Sequence, residues 1–345
     1  MIESHRGLAG EGNTEDKESP MQSTAIVIRE QGGPEVMRPE QVDVPSEVGA
    51  GEALVEVAYA GVNFIDIYQR NGRYTMETPF VPGNEGSGRV VAVGDGVTAV
   101  EVGDRVAWEG VAGSYARHVV APAARLLPVA DDVDDAQAAA LPLQGLTAHY
   151  LTTESHPIAA GETVLVHAGA GGTGLAVTQV AKILGATVIT TVSTEEKAKI
   201  SREAGADHVL VGYDGFDARV RDLTGGLGVH AVYDGVGQAT FDGSLASLRR
   251  RGTFVLFGGS SGAVPPVDPM RLNAAGSVKF TRPTLWDFVA DPAELRARYG
   301  DVLGWASQGR LSVRVHAEYP LEDAPQAHRD LAGRGTVGKL LLRTG

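Results

Sequence analysis

The segment "TVLVHAGAGGTGLAVTQVAKILG", residues 163–185, constrains the fold more than any other. A short apolar run ends at Gly169, Gly171 and Gly174, which satisfy the spacing G-x-G-x-x-G, and the chain then passes directly into a helical pattern. The glycines permit a tight turn and let a pyrophosphate approach bare backbone. The helix start adds unpaired N–H groups and the positive end of a dipole. A strand before and a helix after make this weak motif a predicted dinucleotide site.

The surrounding text agrees. "TVITTV", "TEEKAKISREAG", "HVLVGY", "VHAVYDGVG" and "GTFVLFG" continue a strand-helix alternation that predicts a doubly wound parallel sheet. From residue 21 to about Leu127 the grammar differs: short β-prone runs are cut by glycine and proline, as in a compact, mostly antiparallel β domain. Between the two, "DVDDAQAAALPLQGLTAHYLTTE" is alanine-rich with aspartates at its start, which predicts a helix. Residues 1–20 are polar and without periodicity, so we expect a disordered extension, with order beginning in a strand at Ala25–Ile28.

The choice of dinucleotide is read at the end of the second strand, about 20 residues beyond the glycines. An NAD enzyme usually has an acidic residue there to accept from the ribose hydroxyls. This chain has Ser193 and Thr194, with Lys197 following and Glu195 and Glu196 beside it. Hydroxyls and an ammonium suit a 2′-phosphate, so NADPH is the expected cofactor.

Composition excludes several classes. With 30 basic against 43 acidic side chains the formal charge is −13, which repels a nucleic-acid backbone. There is no cysteine, so disulfides, thiolate nucleophiles and cysteine-held zinc are ruled out. The apolar runs are strand-sized, far short of the ~20 residues that span a bilayer. No targeting segment is apparent at the amino terminus, and a cytoplasmic location is expected.

Seven segments together resemble one family: "AGVNFIDIYQRNGRY" (60–74), "PGNEGSG" (82–88), "LQGLTAHYL" (143–151), "HAGAGGTG" (167–174), "FGGSSGAV" (257–264), "TRPTL" (281–285) and "GKLLL" (338–342). From Met21 onward the chain resembles the zinc-independent quinone oxidoreductases of the medium-chain dehydrogenase/reductase superfamily, the group that includes zeta-crystallin. The resemblance implies an α/β fold with a GroES-like β-rich catalytic domain and a Rossmann domain. Residues 21–145 would form the first part of the catalytic domain, 146–284 the NADP-binding domain, and 285–345 the return to the catalytic domain. The cofactor would lie in the cleft between them.

Zinc-bearing relatives have a cysteine ligand where this chain has Asn63, and a histidine ligand where it has Asn84. The resemblance therefore implies a scaffold without metal, in which Glu85 would accept from backbone N–H groups of its own glycine turns. Without a Lewis acid, an acceptor that spreads its own charge is favoured, such as a quinone or an enone. Asn63 and Tyr68 would polarise that acceptor's carbonyl, and Asp66 would anchor the local loop. Thr147 would meet the nicotinamide carboxamide, and Gly171, Gly172 and Thr173 the pyrophosphate. Ser193 and Lys197 would hold the 2′-phosphate, Val236 the adenosine half, Phe257 and Ser260 the nicotinamide ribose, and Lys339 would close the site as a late clamp. Tyr213 is a further candidate, offset by one extra residue after the third strand.

Three alternatives remain beside NADPH:quinone reduction. One is an enone or 2-alkenal double-bond reductase, and another is a non-catalytic NADPH-binding protein. "GGSSG", Gly258–Gly262, also fits the G-x-S-x-G of serine hydrolases, but "AVPPVDP" follows it and cannot start the required helix in place. The segment "GSVKFTRP", 276–283, is expected at the edge of the parallel sheet, where pairing with its twin would give a homodimer.

Overall fold

A computed structural model describes residues 21–45, 47–333 and 335–345, so the extension expected at residues 1–20 lies outside the described residues. Short valine- and alanine-bearing strands, several with consecutive buried positions, build the first domain. Strands β1 (Met21–Ile28) and β2 (Met37–Val44) pair antiparallel over their full length. The hub is β3 (Glu52–Val62), whose last residue leads through Asn63 into helix α1 (Phe64–Arg70). Antiparallel to it runs β4 (Glu85–Val93), which carries β5 (Arg105–Glu109) on its far side. Two shorter strands, β6 (His118–Pro122) and β7 (Leu127–Pro128), pair with β3 and β5.

The alanine-rich segment forms α2 (Asp135–Tyr150), capped by Asp134, whose carboxylate accepts from the Gln137 N–H at 2.7 Å. Twelve of its sixteen residues are buried, because it packs at once against the first domain's sheet and the second domain's helices. It runs through position 145 without interruption.

The second domain reads β8 (Thr163–Val166), α3 (Gly172–Ile183), β9 (Thr187–Val192), α4 (Glu195–Glu203), β10 (His208–Val211) and α5 (Phe216–Leu223). It continues through β11 (Val229–Asp234), α6 (Phe241–Ser247), β12 (Leu248–Leu256), α7 (Pro269–Ala274) and β13 (Lys279–Thr281). The strands pair in parallel in the order β10-β9-β8-β11-β12-β13, with the order reversing between β8 and β11. Ligands of such sheets bind outside the carboxyl ends of the strands at that switch point, which is where the glycine turn stands. One of the two edge strands is β13, as the sequence predicts.

Beyond it, α8 (Leu285–Phe288) and α9 (Pro292–Ser307) cover α2, and β14 (Val315–Pro320) and α10 (Ala324–Ala332) lead to β15 (Lys339–Arg343). That last strand lies antiparallel to β3, with Leu340 opposite Val62. The register sets Lys339 beside Asn63, the residue on which the site turns. No helix among the described residues is long and apolar enough to cross a membrane.

Candidate active site

The glycine turn has the shape of an anion cradle. Helix α3 begins at Gly171 with no side chain capping it, so the first-turn N–H groups of Gly172 and Thr173 are not taken up by a cap. Gly174 makes the turn possible: a Cβ there would stand 2.2 Å from the Ala168 carbonyl oxygen, a backbone clash that cannot relax. Beside the turn, the buried Gln144 Oε1 has no hydrogen-bond partner among the described residues. Across it, Gly171 forms a single parallel bridge with Gly338, joining the nucleotide turn to the approach of β15.

One residue further, Lys339 is fully buried. Its ammonium donates to the Asn63 Oδ1 at 2.7 Å and forms an ion pair with Glu85 Oε2. The Asn63 Nδ2 donates to that same Glu85 oxygen at 3.0 Å, which fixes the amide's orientation: an ammonium has no acceptor and a carboxylate has no donor. The second amide hydrogen is left with only a long contact of 3.4 Å to the Gly61 carbonyl. One expectation changes. Glu85 does not serve its own glycine turns but neutralises Lys339 and accepts the Leu143 N–H at 2.7 Å. Lys339 stands here as an internal cation, because a buried carboxylate needs a counter-charge.

A second buried set supports α1. Asp66 accepts from the Asn63 N–H at 2.8 Å, the Tyr115 hydroxyl at 2.9 Å and the Asn84 Nδ2 at 3.1 Å. Complete burial raises its pKa to about 6 against the pull of these donors. Arg70 has donors only, so it donates to His328 Nδ1 at 2.9 Å, and the other ring nitrogen meets the Tyr115 hydroxyl at 3.1 Å. Burial, with Arg70 adding to it, lowers the His328 pKa to about 3, which keeps the ring neutral as this relay requires. The expected anchoring role of Asp66 thus has a concrete form.

Tyr68 stands in a separate aromatic group on the same helix. The Arg73 guanidinium lies 4.4 Å above its ring and Tyr74 meets it edge-on at 5.4 Å. Arg73 also donates to the Gly259 carbonyl at 3.2 Å, which ties this helix to the loop after β12.

The remaining candidates line the carboxyl ends of the parallel strands. Thr147 is buried on α2 one turn from Gln144. Ser193 is exposed at the tip of β9, and Lys197 is half-buried on the first turn of α4, where burial lowers its pKa. Tyr213 follows β10 after one intervening residue, with its ring 6.2 Å from His167. Val236 is held by Asp234, which accepts from the Val236 and Gly237 N–H groups at 2.8 and 2.9 Å. Phe257 and Ser260 sit in a loop pinned to this turn, through the Phe257 N–H to Asp234 and the Ser260 N–H to Gly235. No helix follows Ser260 before Pro269, so the hydrolase elbow is absent from this loop.

Zinc does not fit these residues. The two ligand positions are amides; of the two carboxylates beside them, Glu85 is paired with an ammonium that would repel the ion, and Asp66 is taken up by the Asn63 N–H, the Tyr115 hydroxyl and the Asn84 amide. Among the described residues no group of three or more His, Asp or Glu could hold a metal. Sequence reasoning named Lys339 but not its burial, and it did not single out Tyr115, His328 or Glu109, whose buried carboxyl has no hydrogen-bond partner among the described residues. A lone carboxylate such as Glu85 in an apolar stretch is a signal that some cation must reach it, but not of which one.

Comparison with known proteins agrees with the geometry. Residues 49–131 match the alcohol dehydrogenase GroES-like domain, and residues 172–285 the zinc-binding dehydrogenase family. The chain is 40% identical to a quinone oxidoreductase of Pseudomonas aeruginosa over 316 residues, which cover 90% of this chain and 96% of that one. A mycobacterial protein complexed with NADPH superposes with a TM-score of 0.89 at 52% identity, covering 93% of this chain and all of that one. The Escherichia coli quinone oxidoreductase complexed with NADPH superposes at 0.90 with 38% identity and the same coverages. By fold, by motif and by these relatives, the chain belongs to the quinone oxidoreductases of the medium-chain dehydrogenase/reductase superfamily.

Proposed function

We propose that the chain oxidises NADPH and reduces quinones by hydride transfer, without metal. The observation that carries this is the Asn63 amide, locked by Lys339 and Glu85 in place of a zinc ligand and joined to the glycine cradle through the Gly171–Gly338 bridge. NADPH bound along the cradle supplies the hydride. The first-turn N–H groups of α3 hold the pyrophosphate, Ser193 and Lys197 the 2′-phosphate, and Val236, Phe257, Ser260, Tyr213 and Thr147 orient the rest.

When a quinone accepts a hydride, negative charge develops on its carbonyl oxygen. The remaining Asn63 N–H and the Tyr68 hydroxyl are the donors we assign to that oxygen. A hydroquinone anion is far less basic than an alkoxide, so such donors and a solvent proton complete a step that would need a Lewis acid with a simple ketone. Lys339 acts here as a positioning residue, through Asn63.

Residues 21–145 and 285–345 form the acceptor side in this reading and 146–284 the nucleotide side. The exposed edge of β13 pairs with a second copy, giving a cytoplasmic homodimer. The test is NADPH oxidation against a panel of quinones, enones and 2-alkenals before and after exhaustive chelation. Chelator-resistant turnover with quinones is the expected result. Preference for the alkenals would move the assignment to double-bond reduction, and NADPH binding without any turnover would leave a non-catalytic protein. Light scattering at micromolar concentration reads the dimer independently, and a monodisperse monomer would refute it.

A further inference from the structure

A cleft of about 310 Å³ opens on the second domain beside Arg73, the arginine that lies over the Tyr68 ring. Leu256, Val264 and Phe280 give its lining an apolar part, and the loop at Gly258–Gly259 contributes backbone. The lining also carries two guanidinium groups, Arg73 and Arg282. In a chain with a net charge of −13, two cations and no carboxylate among the lining residues make a local inversion of sign.

Among the described residues, neither arginine is consumed by a carboxylate in its hydrogen bonds. Arg73 has its guanidinium carbon 4.4 Å from the centroid of the Tyr68 ring and gives Nη1 to the Gly259 carbonyl, while Arg282 gives Nη1 to the adjacent Pro283 carbonyl. These contacts orient the guanidinium groups and leave further N–H donors on each, since the group has five. Burial raises the Tyr68 phenol above its ordinary pKa, and the charges of both arginines pull it back, so both act on the same hydroxyl.

We propose that Arg73 and Arg282 form an anion subsite for the acceptor, so that this enzyme favours quinones carrying a carboxylate or sulfonate beside the ring. The inference rests on the quinone-reductase reading and names the substrate class within it. The apolar residues take the ring system, and the anionic oxygens of a carboxylate or sulfonate meet the guanidinium groups through paired N–H···O bonds. Tyr68, lying under Arg73, is left at the carbonyl end.

The experiment compares 1,2-naphthoquinone-4-sulfonate with uncharged 1,4-naphthoquinone in the parent, Arg73→Leu and Arg73→Lys. The readout is the ratio of kcat/KM values for the charged and neutral acceptors, which cancels any general loss of activity. We expect the ratio to fall about tenfold or more in Arg73→Leu, as for loss of a charge-assisted pair. Arg73→Lys should recover part of it, and rising salt should lower it in the parent. An unchanged ratio overturns the subsite. Equilibrium binding of both quinones to the NADP+-loaded protein reads the same discrimination without turnover. Tighter binding of the sulfonate, lost in Arg73→Leu, supports the subsite even if neither quinone is reduced, in which case the reductase reading alone fails. If Arg73→Leu instead weakens NADPH binding and leaves the acceptor ratio intact, the anion held there is the cofactor's phosphate and the proposal is refuted.

Discussion

Replacing Lys339 with methionine removes the cation from a pair in which both side chains are fully buried. Methionine fills similar space, so the main effect is electrostatic. Glu85 would keep two donors, the Leu143 N–H and the Asn63 Nδ2, but its charge would be uncompensated in an apolar interior. Breaking one partner of a buried pair costs about 3–5 kcal/mol. At ~2–4 °C per kcal/mol for a unit of this size, that is a fall of about 10 °C in the Tm of the first domain's transition. The double variant Glu85→Gln with Lys339→Met leaves no buried charge, and glutamine still accepts the Leu143 N–H. It should therefore be more stable than Lys339→Met alone, with a coupling of about 2 kcal/mol or more in the double-mutant cycle. Thermal and urea unfolding of the parent, both single variants and the double variant supply the cycle. The reasoning fails if Lys339→Met costs less than about 1 kcal/mol, or if the double variant is the sum of its parts. Activity offers a second reading. Every variant lacking Lys339 should lose kcat more than it raises the KM for NADPH, because the amide of Asn63 is no longer held.

Three further outcomes are expected. Burial raises the Glu109 carboxyl from its ordinary 4.5 to about 7, with Arg125 3.4 Å away opposing and the Glu85 charge adding to the rise. The folded state then binds this proton more tightly than the unfolded chain, so Glu109 costs stability as pH rises from about 4.5 to 7, and the full cost persists above. Glu109→Gln should flatten that slope by roughly 3 kcal/mol between pH 4.5 and 8, measured by urea unfolding, and an unchanged slope would contradict it. In Gly174→Ala, the clash with the Ala168 carbonyl should weaken NADPH binding at least tenfold by fluorescence titration, whereas wild-type affinity would mean the turn can open. Lys197→Ala should erode the preference for NADPH over NADH; equal affinities for the two in the parent would refute the 2′-phosphate assignment.

How much was legible in the sequence depends on the distance over which each feature acts. The glycine turn, the strand-helix alternation and the helix at 135–150 are carried by neighbours a few residues apart, so spacing and periodicity reveal them. The replacement of zinc ligands by Asn63 and Asn84 was equally visible, since it needs only residue identity. What those amides do was not. Lys339 lies 254 residues from Glu85 and 276 from Asn63, and only the antiparallel register of β15 on β3 brings them together. The same holds for Tyr115 and His328, 213 residues apart, and for Arg73 and Gly259, 186 apart. A lysine in "GKLLL" carries no local sign that it will be buried, because its burial is stabilised by a carboxylate that a different strand supplies. Sequence alone determined the cofactor fold and the loss of the metal ligands; tertiary structure decided which cation took the place left among them.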